Sequence, residues 1–210
     1  MIRGLAGAAI IALLALPGMR HGLERVMIVH MLVQIPLLAG AGALMAMALP
    51  MRWTARLALW NGQGISGILM AVMVSSWWMV PRALDWALAS PAMELTKFVS
   101  LPLLVGAPLA LSWSDLGGMG RGFVIANVLP MWAAVGWLYL AAPVRVCNFY
   151  LVEDQTAAGA GLLAVSIVLA GVAACLAFRT RPVDVVGVRI DRGRAASGSV
   201  MGPPLGARPE

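Results

Sequence analysis

The stretch Val26-Met27-Ile28-Val29-His30-Met31-Leu32-Val33-Gln34-Ile35-Pro36-Leu37-Leu38-Ala39-Gly40-Ala41-Gly42-Ala43-Leu44-Met45-Ala46-Met47-Ala48-Leu49 runs for 24 residues without one Asp, Glu, Lys or Arg. A helix rises 1.5 Å per residue, so this run is long enough to cross about 30 Å of hydrocarbon. In lipid each backbone N–H and C=O must be satisfied within the protein, which a helix achieves by itself and a lone strand does not. The run therefore reads as a transmembrane helix, and the chain around it has the same character.

Further spans are predicted at Ile2 to Leu16, Leu57 to Val80, Phe98 to Trp113, Phe123 to Ala142 and Ala157 to Phe178. The composition agrees: 61% of the 210 residues are hydrophobic and 11% charged, with a mean hydropathy of +0.88. A soluble domain carries about 25% charged residues. The expected fold class is all-α, a polytopic membrane bundle of about six transmembrane helices over residues 1–178, followed by a tail at 179–210. That leaves no room for a folded extramembrane domain, which argues against most hydrolases, nucleotide-binding enzymes and nucleic-acid binders. No G-x-x-x-x-G-K-[ST], G-x-S-x-G or H-E-x-x-H string occurs, and no enzymatic activity is expected. Met1-Ile2-Arg3 and the apolar run after it also fit a signal peptide. No good Ala-x-Ala cleavage site follows, so a retained first helix is expected.

The net charge of +6 is explained by where the cations fall. Placing the N-terminus in the cytoplasm puts Arg3, Arg52, Arg56, Arg121 and the arginines of the tail on the inner side, and Arg20, Arg25, Arg82, Lys97 and Arg145 on the outer side. Lys and Arg favour the cytoplasmic side, so both termini are expected there, in a bacterial-type inner membrane. The tail, with its arginines, glycines and prolines, is expected to be largely disordered from Gly193 to Glu210, with a short strand at Val183 to Ile190. Its expected partner is anionic membrane lipid and not nucleic acid.

Of the eight tryptophans, Trp53, Trp60 and Trp113 fall near predicted inner boundaries and Trp77, Trp78, Trp86 and Trp137 near outer ones, as interfacial anchors do. Close helix approach is offered by Gly40 and Gly42, by Gly62, Gly64 and Gly67, and by Ala157 with Gly161. The string Pro-Leu-Leu-x-Gly-Ala occurs at Pro36 to Ala41 and again at Pro102 to Ala107, in two spans expected to run the same way, the pattern an internal duplication leaves. Pro36, Pro102, Pro108 and Pro130 are expected to kink their helices, and Asn61, Gln63, Asn127, Ser75 and Ser76 to supply interhelical hydrogen bonds.

Polar groups placed inside a bilayer at a cost are the candidate functional residues. Met27, His30, Met31 and Gln34 are related by steps of three and four and share one helix face; His21 and Glu24 precede them near the outer boundary. Imidazole and thioether suit Cu(I), so Met27, His30 and Met31 are candidate copper ligands, with His21 in reserve. The alternative is that the methionines fill the core and His30 and Gln34 bond to a neighbouring helix. A second cluster, Arg145 to Gln155, is expected on the same outer side. There Glu153 and Asp154 either cap the last span or shape the mouth of the same site, and Cys147 is a free thiol, an intermolecular partner or a soft ligand. Cys147 and Cys175 are expected at opposite ends of the membrane, too far apart to pair. His21 and His30 belong to one helix start and cannot sandwich a haem.

At these two clusters the sequence resembles the CtaG-like family of cytochrome c oxidase assembly factors, membrane proteins associated with caa-type oxidases. Met27-Ile28-Val29-His30-Met31-Leu32 is similar to the second half of the family's His-Met-x-x-His-Met-Leu motif, and Glu153-Asp154-Gln155-Thr156-Ala157-Ala158-Gly159 to its Glu-Asp-Gln-x-x-Ala-Gly segment. Val26 stands where the family has its first His, and Leu162-Leu163-Ala164 replaces the usual Met-Trp. The resemblance implies a multi-pass protein assisting the assembly or copper maturation of a haem–copper oxidase, with oxidase subunits or a copper chaperone as partners. A small-molecule or ion transporter, or a structural subunit of a respiratory complex, remains open as an alternative.

Overall fold

Long apolar runs punctuated by Pro, Gly and Asn become helices, and no strand forms among the described residues of the computed structural model, which are 2–179. Met1 and residues 180–210 lie outside them, and with them the strand expected at 183–190 and the disorder expected from 193. The helices are α1 (Ile2–Ala15), α2 (Pro17–Glu24), α3 (Met27–Ala46), α4 (Met51–Trp60), α5 (Ile65–Trp78), α6 (Pro81–Ala89), α7 (Pro91–Trp113), α8 (Gly118–Ala141) and α9 (Val152–Arg179). The compact unit ends at Ala174, within α9.

Four helices, α3, α7, α8 and α9, are each long and apolar enough to cross a membrane. The pairs α1 with α2 and α4 with α5 would add two more spans, but each pair bends sharply, by 73° and 69° respectively. The chain is thus an all-α bundle with four to six spans, and of the predicted boundaries the starts of the third and fourth spans move furthest. The third span does not begin at Leu57. Asn61-Gly62-Gln63-Gly64 breaks the helix there, with Gln63 and Gly64 at φ of 54° and 78°, so the apolar helix starts at Ile65. The Asn61 side chain holds that corner, accepting from the Gly67 N–H at 2.8 Å and donating to the Ser112 hydroxyl of α7 at 2.9 Å. The fourth span begins at Pro91 and not Phe98, because Ser90-Pro91 starts a helix that runs on unbroken into the apolar segment.

The prolines expected to kink α3 and α7, Pro36, Pro102 and Pro108, disturb these helices without ending them. Residues His30–Gln34, just ahead of Pro36, and Leu101–Gly106, just ahead of Pro108, adopt π-helical turns. A proline removes one N–H and crowds the carbonyl four residues back, and a wider turn relieves both. Among the expected interhelical polar residues, Asn61 does cross to another helix, whereas Ser75 and Ser76 both return their hydroxyls to the Val72 carbonyl of their own helix.

Without a hydrophobic force between helices in lipid, close packing and polar bonds must hold the bundle. The two Pro-Leu-Leu-x-Gly-Ala strings meet: a side chain at Gly42 would strike the Pro102 carbonyl, and one at Gly106 the Ala39 carbonyl. His30 and Gln34 face Lys97 near the starts of both helices, while Ala39 and Gly42 meet Gly106 and Pro102 further along both, so α3 and α7 run parallel. Each is reached by the same plan, an apolar helix, a short proline-led helix, then a span with a π turn: α1, α2, α3 and α5, α6, α7. On the far side, Gly136 of α8 and Gly159 of α9 let those helices touch, and Gly161 sits against Ile28 and Leu32 of α3. Exposed Phe123, Trp137, Ile167 and Val168 give α8 and α9 an outward surface suited to hydrocarbon.

Candidate functional site

Where the two three-helix units meet, the first turns of α3 and α7 carry the polar residues. Met27, His30, Met31 and Gln34 are all buried, so the shared face is the packed one. The group that meets them is Lys97, two turns into α7 and wholly buried. An ammonium has three donors. Lys97 spends them on the Glu24 carboxylate at 2.6 Å, His30 Nε2 at 3.2 Å and the Gln34 carbonyl oxygen at 3.5 Å. Gln34 returns its amide to the same Glu24 oxygen at 3.2 Å. Each of the three acceptors around the charge is thereby partnered, which is what a charge inside a span requires.

The rest of the imidazole is fixed from the opposite direction. Tyr150, in the loop between α8 and α9, donates its hydroxyl proton to the Glu24 backbone carbonyl at 2.9 Å. Its oxygen, 2.7 Å from His30 Nδ1, is then the acceptor for an Nδ1–H. The network thereby assigns the neutral Nδ1–H tautomer, with Nε2 accepting from Lys97. Toward the exterior, Arg20 Nε lies 2.9 Å from Glu94 and 3.9 Å from Glu24. Its contact with Glu94 is a charge contact and not an aligned hydrogen bond.

The other expected residues fall elsewhere at this end. His21 is exposed and bonded to Arg20 at 2.9 Å, not brought to His30. Glu153 is exposed in the first turn of α9 with Asp154, where both complement the helix dipole. The buried member of that motif is Gln155, which accepts from the Val146 N–H at 2.8 Å and donates to the Tyr139 carbonyl at 3.2 Å, tying the loop that carries Tyr150. Cys147 is free and buried, with its sulfur 3.9 Å from both the Tyr139 hydroxyl and the Pro81 carbonyl. Burial, and then the Asp85 carboxylate nearby, push its thiol up to about 11. Cys175 is also free. Trp78, expected as an interfacial anchor, is instead buried and donates to the Ser100 hydroxyl at 2.9 Å.

Cu(I) needs an open imidazole lone pair. In this arrangement His30 offers none: Nδ1 is the donor to Tyr150, and an ammonium stands 3.2 Å from Nε2. Met27, His30 and Met31 do not fit the ion while Lys97 stays where it is. Among the described residues no three His, Cys, Asp or Glu side chains gather closely enough to hold a metal.

Lys97 and Tyr150 are the two members of this centre that the sequence reading did not single out. Both carried a signal, since Lys97 is the only lysine in a chain whose other cations are all arginine, and Tyr150 is one of two tyrosines. No family model, curated protein or solved structure matches the chain.

Proposed function

We propose that this chain is a non-enzymatic multi-pass protein of a bacterial-type inner membrane that assists the assembly of a haem–copper cytochrome c oxidase. The observation that carries the reading is the bond between His30 and Tyr150. The two stretches that resemble CtaG-like factors lie about 120 residues apart, and this bond joins the histidine of the first to a residue three positions before the second. The segment's buried Gln155 then fixes the connecting loop. Resemblance in two short strings is more telling when the fold sets them beside one another, as the approach of Gly161 to Ile28 and Leu32 also does. Oxidase subunits or a copper chaperone would meet the end of the bundle bearing α2 and α6, which the positive-inside count makes the outer one.

Deleting the chain in its host should lower the haem–copper oxidase activity and the copper content of purified oxidase severalfold. The intact chain should restore both, and His30→Ala should not. Normal, fully metallated oxidase in the deletion strain overturns the reading. A transporter reading is favoured by a different observation, the Lys97–Glu24 pair within the helical bundle, since intramembrane ion pairs mark ion paths. Proton or solute flux in liposomes, lost in Lys97→Met, would support it.

A further inference from the structure

Beyond the polar centre, among α3, α5, α7 and α8, lies a cavity of about 300 Å³ that begins beside Gln34 and one turn past Lys97. α3 lines it over positions 35–43, α7 over 101–109, α5 with the residue after it over 68–79, and α8 over 124–132. Each wall is a stripe of two to three turns along its own helix, so the cavity is an upright slot about 12–16 Å tall. That is half of a hydrocarbon core of roughly 30 Å, the depth of one leaflet. Within α8 only Gly136 and Tyr139 are buried, both past the slot, so the first half of that helix meets the bundle across this gap.

The walls suit hydrocarbon. The Ser75 hydroxyl already donates to the Val72 carbonyl at 3.0 Å and the Trp78 indole to the Ser100 hydroxyl at 2.9 Å, which leaves the Trp132 indole among apolar side chains. The back is sealed, with Ile68, Ala71, Trp78 and Leu101 buried. The side is open: Pro36 and Gly40 are exposed, and a Cβ at Gly40 would meet nothing within 4 Å. Water needs polar partners to occupy such a space, so a slot that opens sideways in a bilayer fills with the hydrocarbon around it.

The end of the slot away from Lys97 carries a cation. Arg121, Val124, Val128 and Trp132 follow one another at steps of three and four on α8, as Leu101, Val105, Leu109 and Trp113 do at steps of four on α7. Both stripes therefore run on to one pair, in which the Arg121 guanidinium lies 5.6 Å from the Trp113 ring centroid and donates to the Trp113 carbonyl at 3.2 Å. Arg121 is exposed, and among the described residues no carboxylate forms an ion pair with it. Tryptophan and arginine at a helix end mark the headgroup level, and from Arg121 to Trp132 the helix rises about 16 Å.

We propose that the slot holds one acyl chain of an anionic phospholipid drawn from the leaflet at the Arg121 end, with the lipid phosphate against the Arg121 guanidinium. The apolar walls take the chain, and the unpaired cation at their end selects the headgroup charge. The inference is independent of the oxidase reading, because it concerns lipid held by the purified protein.

The test is native mass spectrometry of the full chain in a mild detergent. The unaltered protein should retain one phospholipid per chain. After delipidation it should rebind one dioleoyl phosphatidylglycerol, about five times more tightly than dioleoyl phosphatidylethanolamine, the worth of one arginine beside an anionic headgroup. Gly40→Phe, which sets a ring in the open side of the slot, should weaken binding about tenfold or more, whereas Gly40→Ala should not. Arg121→Gln should still bind but lose the preference between the two headgroups. The inference is overturned if no phospholipid is retained or rebound, if Gly40→Phe binds as well as the unaltered protein, or if the preference survives in Arg121→Gln. Recovery of a phosphorus-free isoprenoid lipid in its place equally overturns it. Should Gly40→Phe not fold, Val128→Trp fills the slot from the α8 side and carries the same expected loss.

Discussion

His30 Nδ1 and the Tyr150 hydroxyl are 2.7 Å apart, although one belongs to the start of α3 and the other to the loop before α9. The same hydroxyl donates to the Glu24 carbonyl, so one phenol oxygen closes a ring around the imidazole. Tyr150→Phe leaves an N–H and a carbonyl unpaired in a largely water-free place, at a cost of about 1–3 kcal/mol. At about 2–4 °C per kcal/mol for a chain of this size, Tm in detergent should fall by several degrees. His21→Ala, removing an exposed imidazole, should leave Tm unchanged, and equal effects from both would sink the assignment of the buried network.

Lys97 and Glu24 are expected to show strong energetic coupling. Removing one partner of a buried pair leaves the other uncompensated and costs about 3–5 kcal/mol, while removing both is far milder. Lys97→Met and Glu24→Gln should therefore each destabilise strongly, and the double variant should be less destabilised than the sum of the two. The Arg20 pair with Glu94, at the rim with the Arg20 side chain 29% exposed, should contribute no more than about 1 kcal/mol. Equilibrium unfolding of the four variants of the cycle, in one detergent, measures the coupling. Strict additivity would mean that the 2.6 Å contact carries no net energy.

The membrane class and the packed face of α3 are legible in the sequence because both rest on local periodicity, which hydrophobic spacing records directly. Lys97 escaped because the span was started at Phe98, the first residue after the charge. Starting it from the proline at Pro91, a strong first-turn residue, sets the lysine well inside a helix. Asn61-Gly62-Gln63-Gly64 was readable as a breaker, yet the apolar residues on both sides outweighed it. Tyr150 is different in kind. A loop residue finds its partner only through the tertiary fold, and no local pattern in the chain points from position 150 to position 30.

The crossing of α3 and α7 predicts opposite outcomes for Gly40 and Gly106, the glycines at the same place in the two repeated strings. A Cβ at Gly42 or Gly106 meets main-chain carbonyls of the other helix, which cannot rotate away, whereas nothing lies within 4 Å of a Cβ at Gly40. Gly106→Ala must push the parallel helices apart and disturb the polar centre about two and a half turns back along α7, costing about 1–3 kcal/mol or more. Gly40→Ala should be neutral or slightly stabilising, since alanine is the better helix former. Comparable thermal shifts for Gly40→Ala and Gly106→Ala would contradict the parallel contact.

Orientation can be read with thiol chemistry, but not from the native cysteine at this end. Cys147 is 1% exposed, and its thiol is raised from 9.0 to about 11, so below pH 9 it holds about 100-fold less thiolate than an ordinary cysteine. The raised value favours the neutral thiol in the folded state, so its reactivity should climb only as pH rises past 9 toward 11, and should jump at any pH once the chain is unfolded in SDS. Val144, in the same loop, is 66% exposed, and Met119, at the opposite end of α8, is 92% exposed. In a background with both native cysteines replaced by alanine, Val144→Cys should react with an impermeant maleimide added to intact cells, and Met119→Cys only after the membrane is opened. The reverse pattern would place His30, Lys97 and Tyr150 at the cytoplasmic end, and any partner of the polar centre would then have to be a cytoplasmic one.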